Sequence, residues 1–572
     1  MLSKNTYYKM SADTIELIEK NKNLIYSFKT ILINLIRKKK GYKYLNTFIL
    51  GNNQYIDDKV IESYQINGIS HLFSVSGMHI SLLSSIILYF LNKFKKSNFN
   101  YILVIFFLII YTFLINFTPS VIRATLLFIF LIINKLFKLN LSTLKILLFI
   151  LCLILFINPY NIYNIGFIFS YTISFYLIIF SNLINNYKGY LKKIFMTSFI
   201  SFLASIPILI NNFYSINLLT IINNIIFVPF VSIITFPLSL LTLFIPKLDI
   251  LFSIIVTVLE GISIFLYKFK IELIMCHVNI IIVLVYYFVI TFILYKLNNK
   301  QYKHIFILII MLFIHTNINN LKKELYITFI DVGQGDSSFI HLPYNKSNIL
   351  IDTGGIYNYN ISKNIISYLK SIGIKKLDYL IITHGDYDHM GETINLVENF
   401  KVDKVIFNCG EFNELEQELI KELDKKKIPY YSCIKELNIN NNKLYFLNNK
   451  DYKNENDNSS VIYTELNNHK FLFMGDVGVK VETDLINKYN LQDIDVLKVG
   501  HHGSMTSSSK NFIDEINPEY SIISVGKNNK YSHPNKEVLN NLEDSTIYRT
   551  DRDGSIMFKI KNNKLNVETC IP

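Results

Sequence analysis

The feature that most constrains this chain is a series of long apolar runs between Ser76 and His315, separated by short polar stretches. The windows Ser76–Leu91, Tyr101–Phe117, Val121–Ile133, Lys145–Phe156, Gly166–Leu183, Ile194–Ile210, Leu218–Phe244, Leu251–Leu266, Val278–Leu294 and Ile305–Phe313 read as candidate membrane spans. A helix needs about 20 apolar residues to cross a bilayer, so the shorter windows fit half-helices or surface helices. A polytopic α-helical membrane domain of about 9–10 spans is expected. Composition agrees: 51% of residues are hydrophobic and 18% charged, against roughly 25% charged in soluble proteins. A wholly soluble chain and a disordered one are both excluded. The formal charge of +13 favours an anionic partner, nucleic acid or lipid headgroups. Abundant Ile, Asn, Lys, Tyr and Phe with no Trp looks like the codon usage of an AT-rich genome, which accounts for part of that charge.

Loop charges set an orientation. Lys93–Lys96, Lys135–Lys145, Lys188–Lys193 and Lys296–Lys303 are basic, whereas Asn116–Ser120, Asn158–Asn164 and Asn211–Asn217 contain no Lys or Arg. Placing the basic loops in the cytoplasm puts everything after Asn317 on the outer face. Lys268, Lys270 and the basic N-terminus fit this scheme poorly. The first twenty residues have no apolar h-region and do not read as a cleavable signal peptide. Of the five cysteines none forms a CxxC pair, so neither a disulfide framework nor a thiolate zinc site is indicated.

Two sets of residues stand out within the apolar half. His79 and Arg123 are ionisable groups inside apolar helices, where they are costly and face a cavity as a rule. For Arg123 the bland alternative is a salt bridge or a snorkelling side chain. Asn223, Asn224, Pro229 and Pro237 interrupt Leu218–Phe244. Irregular backbone of that kind lines a cavity or is buried in protein, and the alternative is a proline-kinked packing helix.

After about residue 320 the pattern changes to short strands alternating with helices, one soluble α/β domain. Strands are expected at Tyr326–Ile330, Asn348–Ile351, Tyr379–Thr383, Lys404–Phe407, Ser460–Thr464, Lys470–Met474, Val496–Val499 and Ser521–Val525. Helices are expected at Ser362–Ile372, Glu392–Asn399, Glu414–Lys425 and Glu482–Lys488. The segment Leu380-Ile-Ile-Thr-His-Gly-Asp-Tyr-Asp-His-Met-Gly391 ends a strand with His384, Asp386, Asp388 and His389. Imidazoles and carboxylates at a strand end can converge on one or two divalent ions. Further along, Phe471-Leu-Phe-Met-Gly-Asp476, Val496-Leu-Lys-Val-Gly-His-His-Gly-Ser504 and Tyr531-Ser-His-Pro534 each set Asp or His at or just beyond the end of an apolar strand.

His-x-Asp-x-Asp-His followed by Gly-Asp and His-His-Gly-Ser resembles the metallo-β-lactamase-fold hydrolases, whose fold is an αββα sandwich. With Phe329-Ile-Asp-Val-Gly-Gln-Gly-Asp336 and Ile351-Asp-Thr-Gly354 before it, the chain resembles the ComEC-type competence proteins. Gly68-Ile-Ser-His-Leu-Phe-Ser-Val-Ser-Gly-Met-His79 and Pro119-Ser-Val-Ile-Arg-Ala124 carry the same resemblance in the membrane half. The divisions it implies are an N-terminal segment, 1–67, reduced relative to the family; a channel domain, 68–316; and a hydrolase domain, 320–572.

The resemblance implies a bacterial cytoplasmic-membrane channel passing single-stranded transforming DNA, with an exoplasmic nuclease domain degrading the other strand. Partners implied are an external DNA receptor, a cytoplasmic helicase-type motor and the lipid bilayer. The DNA path would involve His79, Arg123, Asn223 and Asn224. Resemblance and spacing together place His384 and Asp386 on one metal ion and Asp388 and His389 on the other, with Asp476 bridging two divalent ions, Mn or Zn. Asp386 stands where that fold more often has His, which hardens the site and favours manganese over zinc. The central histidine of the pattern is missing, and Asn458 lies in that stretch. His501, His502 and His533 compete to complete the shell; His501 is favoured as ligand, with His502 or His533 as phosphate partner. Asp388 would also orient the nucleophile, and Lys498 and Ser504 would contact the DNA backbone. Lys498 has a bland alternative as a solvated strand-end lysine. Asp331 and Asp336 are read as shaping the loop beside the metals, and Asp352 as holding a turn. Two other functions remain open: a membrane-anchored phosphoesterase acting on a non-DNA substrate, and a permease with an inactive hydrolase domain.

Overall fold

A computed structural model describes residues 24–356 and 360–570. The first twenty residues, read above as lacking an apolar h-region, therefore lie outside the described residues. The chain forms two compact units, one of Met1–Leu273 with His277–Leu312 and the other of Ile274–Cys276 with Phe313–Pro572.

The first unit is helical. Among the described residues six helices are long and apolar enough to cross a membrane: Ser70–Phe94, Pro119–Leu136, Tyr190–Phe213, Thr220–Phe244, Leu248–Tyr267 and Ile280–Asn298. Phe99–Leu114, Thr143–Ile157, Ile165–Ile179 and Tyr302–Thr316 are apolar but shorter. At 1.5 Å per residue, 15 residues reach about 22 Å, less than the ~30 Å hydrocarbon core. The apolar helices thus account for the expected windows, but only six have full spanning length. Thr220–Phe244 runs unbroken through Pro229 and Pro237 because Phe230–Thr235 forms a π-helical turn. Such a turn re-routes the hydrogen bonds that proline cannot make.

The second unit has four layers. Eight strands run edge to edge in the order Lys564–Cys570, Ser555–Lys561, Leu325–Phe329, Ser338–His341, Asn348–Ile351, Tyr379–Ile381, Val405–Phe407 and Tyr430–Ser432. Seven more run Thr546–Arg549, Tyr520–Ile523, Val496–Lys498, His469–Phe473, Ile462–Leu466, Asn442–Phe446 and Glu436–Ile439. Side chains alternate across each strand, and here both faces are apolar. Ile327, Phe329, Ile349, Ile381 and Ile406 of one sheet meet Leu444, Ile462, Phe471, Phe473 and Val496 of the other in a single core. On the outer face of the first sheet, Leu350, Leu380 and Val405 pack on Ile365, Leu396 and Leu419 of three helices. Outside the second, Leu472, Leu497 and Ile523 pack on Val481, Leu485 and Phe512. Each such side chain, fully buried, contributes about 1.5–3 kcal/mol. The result is the expected αββα sandwich.

The strands Asn348–Ile351, Tyr379–Ile381 and Val405–Phe407 are parallel, as are His469–Phe473, Val496–Lys498 and Tyr520–Ile523. Their carboxyl ends carry the ligand-type residues, the usual position for a site in an α/β fold. One expectation about the cysteines is corrected: Cys409 and Cys433, following Val405–Phe407 and Tyr430–Ser432, form a disulfide. Adjacent parallel strands bring together two residues that are 24 apart in sequence, a pairing invisible to a search for local CxxC spacing.

Candidate metal centre

Four strand ends build the centre of the second unit. Thr383 follows Tyr379–Ile381 and leads into His384, Asp386, Asp388 and His389. Asp476 follows His469–Phe473 through Gly475, whose φ of +57° lets the chain turn sharply. His502 follows Val496–Lys498 through Gly500 and His501. Asp352 follows Asn348–Ile351.

The histidines are oriented from behind. Asp352 accepts from the Thr383 amide at 2.8 Å, from the Thr383 hydroxyl at 2.7 Å and from His389 Nδ1 at 2.9 Å. Because the hydroxyl donates to Asp352, its oxygen is free to accept from His384 Nδ1, 3.2 Å away. His502 Nδ1 donates to the Ser524 carbonyl at 2.9 Å. All three rings are thereby turned with Nε2 inward. His389 Nε2 lies 3.1 Å from Asp476 Oδ1, and His502 Nε2 lies 3.3 Å from Asp388 Oδ2 and 3.8 Å from Asp476 Oδ2. His384 Nε2 lies 3.5 Å from Asp386 Oδ2.

The donor set fits a cation. Nε2 of His384, His389 and His502 and Oδ1 of Asp476 are buried without a hydrogen-bond partner, an arrangement that costs free energy unless an ion satisfies them. Two groups of three, His384–His389–Asp476 and Asp388–His389–His502, have their ligand atoms within 4.8 Å of one another. Electrostatics agree. Burial opposes charge on His502, yet Asp476 and Asp336 overcome it and hold the imidazole up to about 10. His389 is likewise buried, and Asp476 with Asp352 raises it well above the ordinary histidine range. Burial pushes the Asp476 carboxyl up, but His389 and His502 hold it well below the usual carboxylate range. The carboxylates therefore demand positive charge, which protons or divalent ions can supply.

Several expected residues sit differently. His501, favoured above as ligand, has a partly exposed side chain; its Nε2 is 3.8 Å from Asp476 Oδ2 and its Nδ1 is 3.0 Å from Thr506 Oγ1. The fully enclosed imidazole facing Asp388 is that of His502. Both residues have positive φ, 46° and 54°, and this tight turn, which costs of order 1–3 kcal/mol per residue, swings consecutive rings to different places. His533 is half-buried at the rim, its ring 6.1 Å from that of His501. Ser504 is buried, with Oγ 3.0 Å from Thr506 Oγ1. Asp386 is the most exposed of the acidic residues, 46% at its side chain. Asn458 faces away from the ligands, accepting from the Tyr452 amide and donating to its carbonyl.

Lys498 corrects both of its expected roles. It is 2% exposed, donates to the Val499 carbonyl and lies 2.6 Å from Asp336 Oδ2. It is neither solvated nor presented to an external phosphate. Asp336 and Asp352 are the residues whose part the sequence understated. Asp336 stands 3.3 Å from His502 Nδ1, and Asp352, beyond holding a turn, orients His389.

In the first unit, His79 begins the helix Gly77–Phe94 in a capping box with Ser76, whose amide donates to His79 Nδ1 at 3.1 Å. Its Nε2 is buried without a hydrogen-bond partner. Arg123 is 7% exposed, donates to the Ser170 carbonyl at 2.7 Å and packs against Gly77, where an added Cβ would lie 2.6 Å from the guanidinium. Among the described residues no carboxylate pairs with it, and its Nε, the Ser170 hydroxyl and the Tyr171 hydroxyl are all buried without hydrogen-bond partners. Asn223 is tied instead into packing, donating to the Asn67 carbonyl at 3.2 Å. Asn224 Oδ1 is buried without a hydrogen-bond partner.

The fold and the site define a membrane protein carrying a metallo-β-lactamase-type hydrolase domain. Residues 48–313 match the competence protein family and residues 330–527 the metallo-beta-lactamase superfamily. The chain thus has the domain content of the ComEC-type competence proteins. It is 29% identical over 559 residues to ComE operon protein 3 of Bacillus subtilis (strain 168), covering 90% of this chain and 70% of that protein. It is 31% identical over 245 residues to competence protein ComA of Neisseria gonorrhoeae, covering 41% of this chain and 32% of that one. To recombination protein 2 of Haemophilus influenzae it is 28% identical over 257 residues, covering 43% and 30% respectively.

Proposed function

We propose that this protein is a channel of the bacterial cytoplasmic membrane for single-stranded transforming DNA. Its exoplasmic second unit is a metal-dependent nuclease that degrades the strand left outside. The observation that carries the nuclease is the convergence of His384, His389, His502, Asp388 and Asp476, the three imidazoles and Asp476 having buried atoms without hydrogen-bond partners, in a chain whose other half matches the competence protein family.

Asp388, His389 and His502 would hold one divalent ion and His384 with Asp386 a second, with Asp476 available to either. Bound there, the ions supply Lewis acidity to water and to phosphate oxygens. The chain's own part is geometric. Asp352 and the Ser524 carbonyl fix the rings of His389 and His502. Asp388, 35% exposed at its side chain, is the carboxylate that can accept a proton from an incoming water. His501 and His533, at the rim, face the non-bridging oxygens of a bound phosphodiester.

The exoplasmic placement draws on the loop charges and on the Cys409–Cys433 disulfide, since disulfides persist outside the reducing cytosol. Arg123, His79 and Asn224 line the route of the strand, Asn223 being held in packing against Asn67, and an external receptor and a cytoplasmic helicase-type motor act with the channel. Replacing Arg123 by Met removes one charge-assisted contact, about 2 kcal/mol or roughly 30-fold in uptake, while degradation outside continues. Unchanged uptake would remove Arg123 from the route. The reading as a whole is tested by deleting the gene and supplying end-labelled duplex DNA to the cells. Loss of internalised label is expected; normal uptake would overturn the channel.

A further inference from the structure

Behind the candidate ligands lies a buried charge chain. Lys498 Nζ meets Asp336 Oδ2 at 2.6 Å, and Asp336 Oδ1 lies 3.3 Å from His502 Nδ1. All three side chains are at most 6% exposed. Asp336 also reaches the other side of the site through its backbone, its amide donating to the Asp388 carbonyl at 3.2 Å. The preceding residue, Gly335, has φ +135°, and a Cβ there would overlap that same carbonyl oxygen. One residue therefore touches two of the candidate ligands, Asp388 through its backbone and His502 through its carboxylate.

Asp336 has its own reach to the ion, since its carboxylate falls within 4.8 Å of ligand atoms of Asp476 and His502. A free carboxylate at that distance would turn onto the cation and become a ligand. Lys498 holds Oδ2, and Oδ1, buried without a hydrogen-bond partner, faces His502 Nδ1, whose proton goes to the Ser524 carbonyl.

Resting on the metal centre proposed above, we infer that Asp336 is a positioning residue of that centre. With Lys498 as its counter-ion, it fixes the His502 ring and the Asp388 loop at the separation a divalent ion requires, without itself ligating. Carboxylates that support a ligating histidine in this way are worth about 10- to 100-fold in metal affinity.

A buried ion pair can also be merely structural, and two variants separate the roles. Removing one partner of a buried pair is destabilising, whereas replacing both by apolar groups of similar size is close to neutral. The measurements are Mn2+ and Zn2+ affinity by calorimetry and thermal melting without metal, on the full chain in detergent. For Asp336→Asn, affinity falls about 10- to 100-fold and the melting temperature drops. For Asp336→Leu with Lys498→Met, the melting temperature returns towards that of the unmodified protein while affinity stays low. Affinity restored together with stability in the double variant would overturn the inference and leave the pair structural. If the double variant does not fold, Asp336→Asn decides alone: wild-type affinity in that variant overturns it. Failure of the unmodified protein to bind either ion would instead refute the metal centre itself.

Discussion

Asp388→Ala is expected to lower phosphodiester cleavage by the full chain on the order of 1000-fold, with melting behaviour little changed. In the proposed site Asp388 offers a ligand atom facing His502 Nε2 at 3.3 Å, and its carboxylate is open to an incoming water. Loss of one well-placed polar group at a reacting centre costs about 100- to 1000-fold, and here the same change also removes a metal ligand. Because the side chain is half-exposed, little packing is lost. Cleavage within about tenfold of wild type, under 1.4 kcal/mol, would show that the chemistry lies elsewhere. Uptake of the intact strand should continue in this variant, because the membrane unit is untouched.

The second large effect distinguishes two neighbouring histidines. His502→Ala removes an enclosed imidazole that faces Asp388 and Asp476. It is expected to weaken Mn2+ or Zn2+ binding by at least about 100-fold, beyond the range seen for residues that only support a ligand. His501→Ala removes a partly exposed ring and should change metal affinity less than about tenfold, its loss appearing in KM for DNA. Calorimetry on both variants gives the comparison. Equal losses, or a larger one for His501→Ala, would reverse the assignment drawn from the fold.

The sequence made the architecture legible because its two halves obey different periods. Apolar runs located the helices of the first unit, and ligand-type residues at strand ends located the site. His501 and His502 show where that reading stops. Adjacent in sequence, their rings are separated in space by a turn with two positive φ angles that no composition or spacing signals. Lys498 is a second case: charge suggests solvent or phosphate, and only the partner Asp336, more than 160 residues earlier, explains its burial.

Asparagine supplies a third. Its abundance reads as genome composition, yet Asn467-Asn468 and Asn562-Asn563 occupy two-residue hairpin loops, all four with φ between 50° and 62°. These are type I′ turns, which Asn tolerates, and they join Ile462–Leu466 to His469–Phe473 and Ser555–Lys561 to Lys564–Cys570. Taking Asn as background hid the last hairpin. Asn223, by contrast, drew attention as a channel residue and is bonded to Asn67 within a buried network, a partner 156 residues away.

The central claim is that the second unit cleaves DNA using ions held by His384, His389, His502, Asp388 and Asp476. Its most direct test incubates the full chain in detergent with end-labelled single- and double-stranded DNA, in Mn2+, Zn2+, Mg2+ or chelator, with Asp388→Ala alongside. Cleavage is expected that needs added metal, stops with chelator and is lost in the variant. Folded protein that binds metal and cleaves neither DNA under any of these ions would contradict it, and would point to a different phosphoester or an inactive hydrolase domain on a permease.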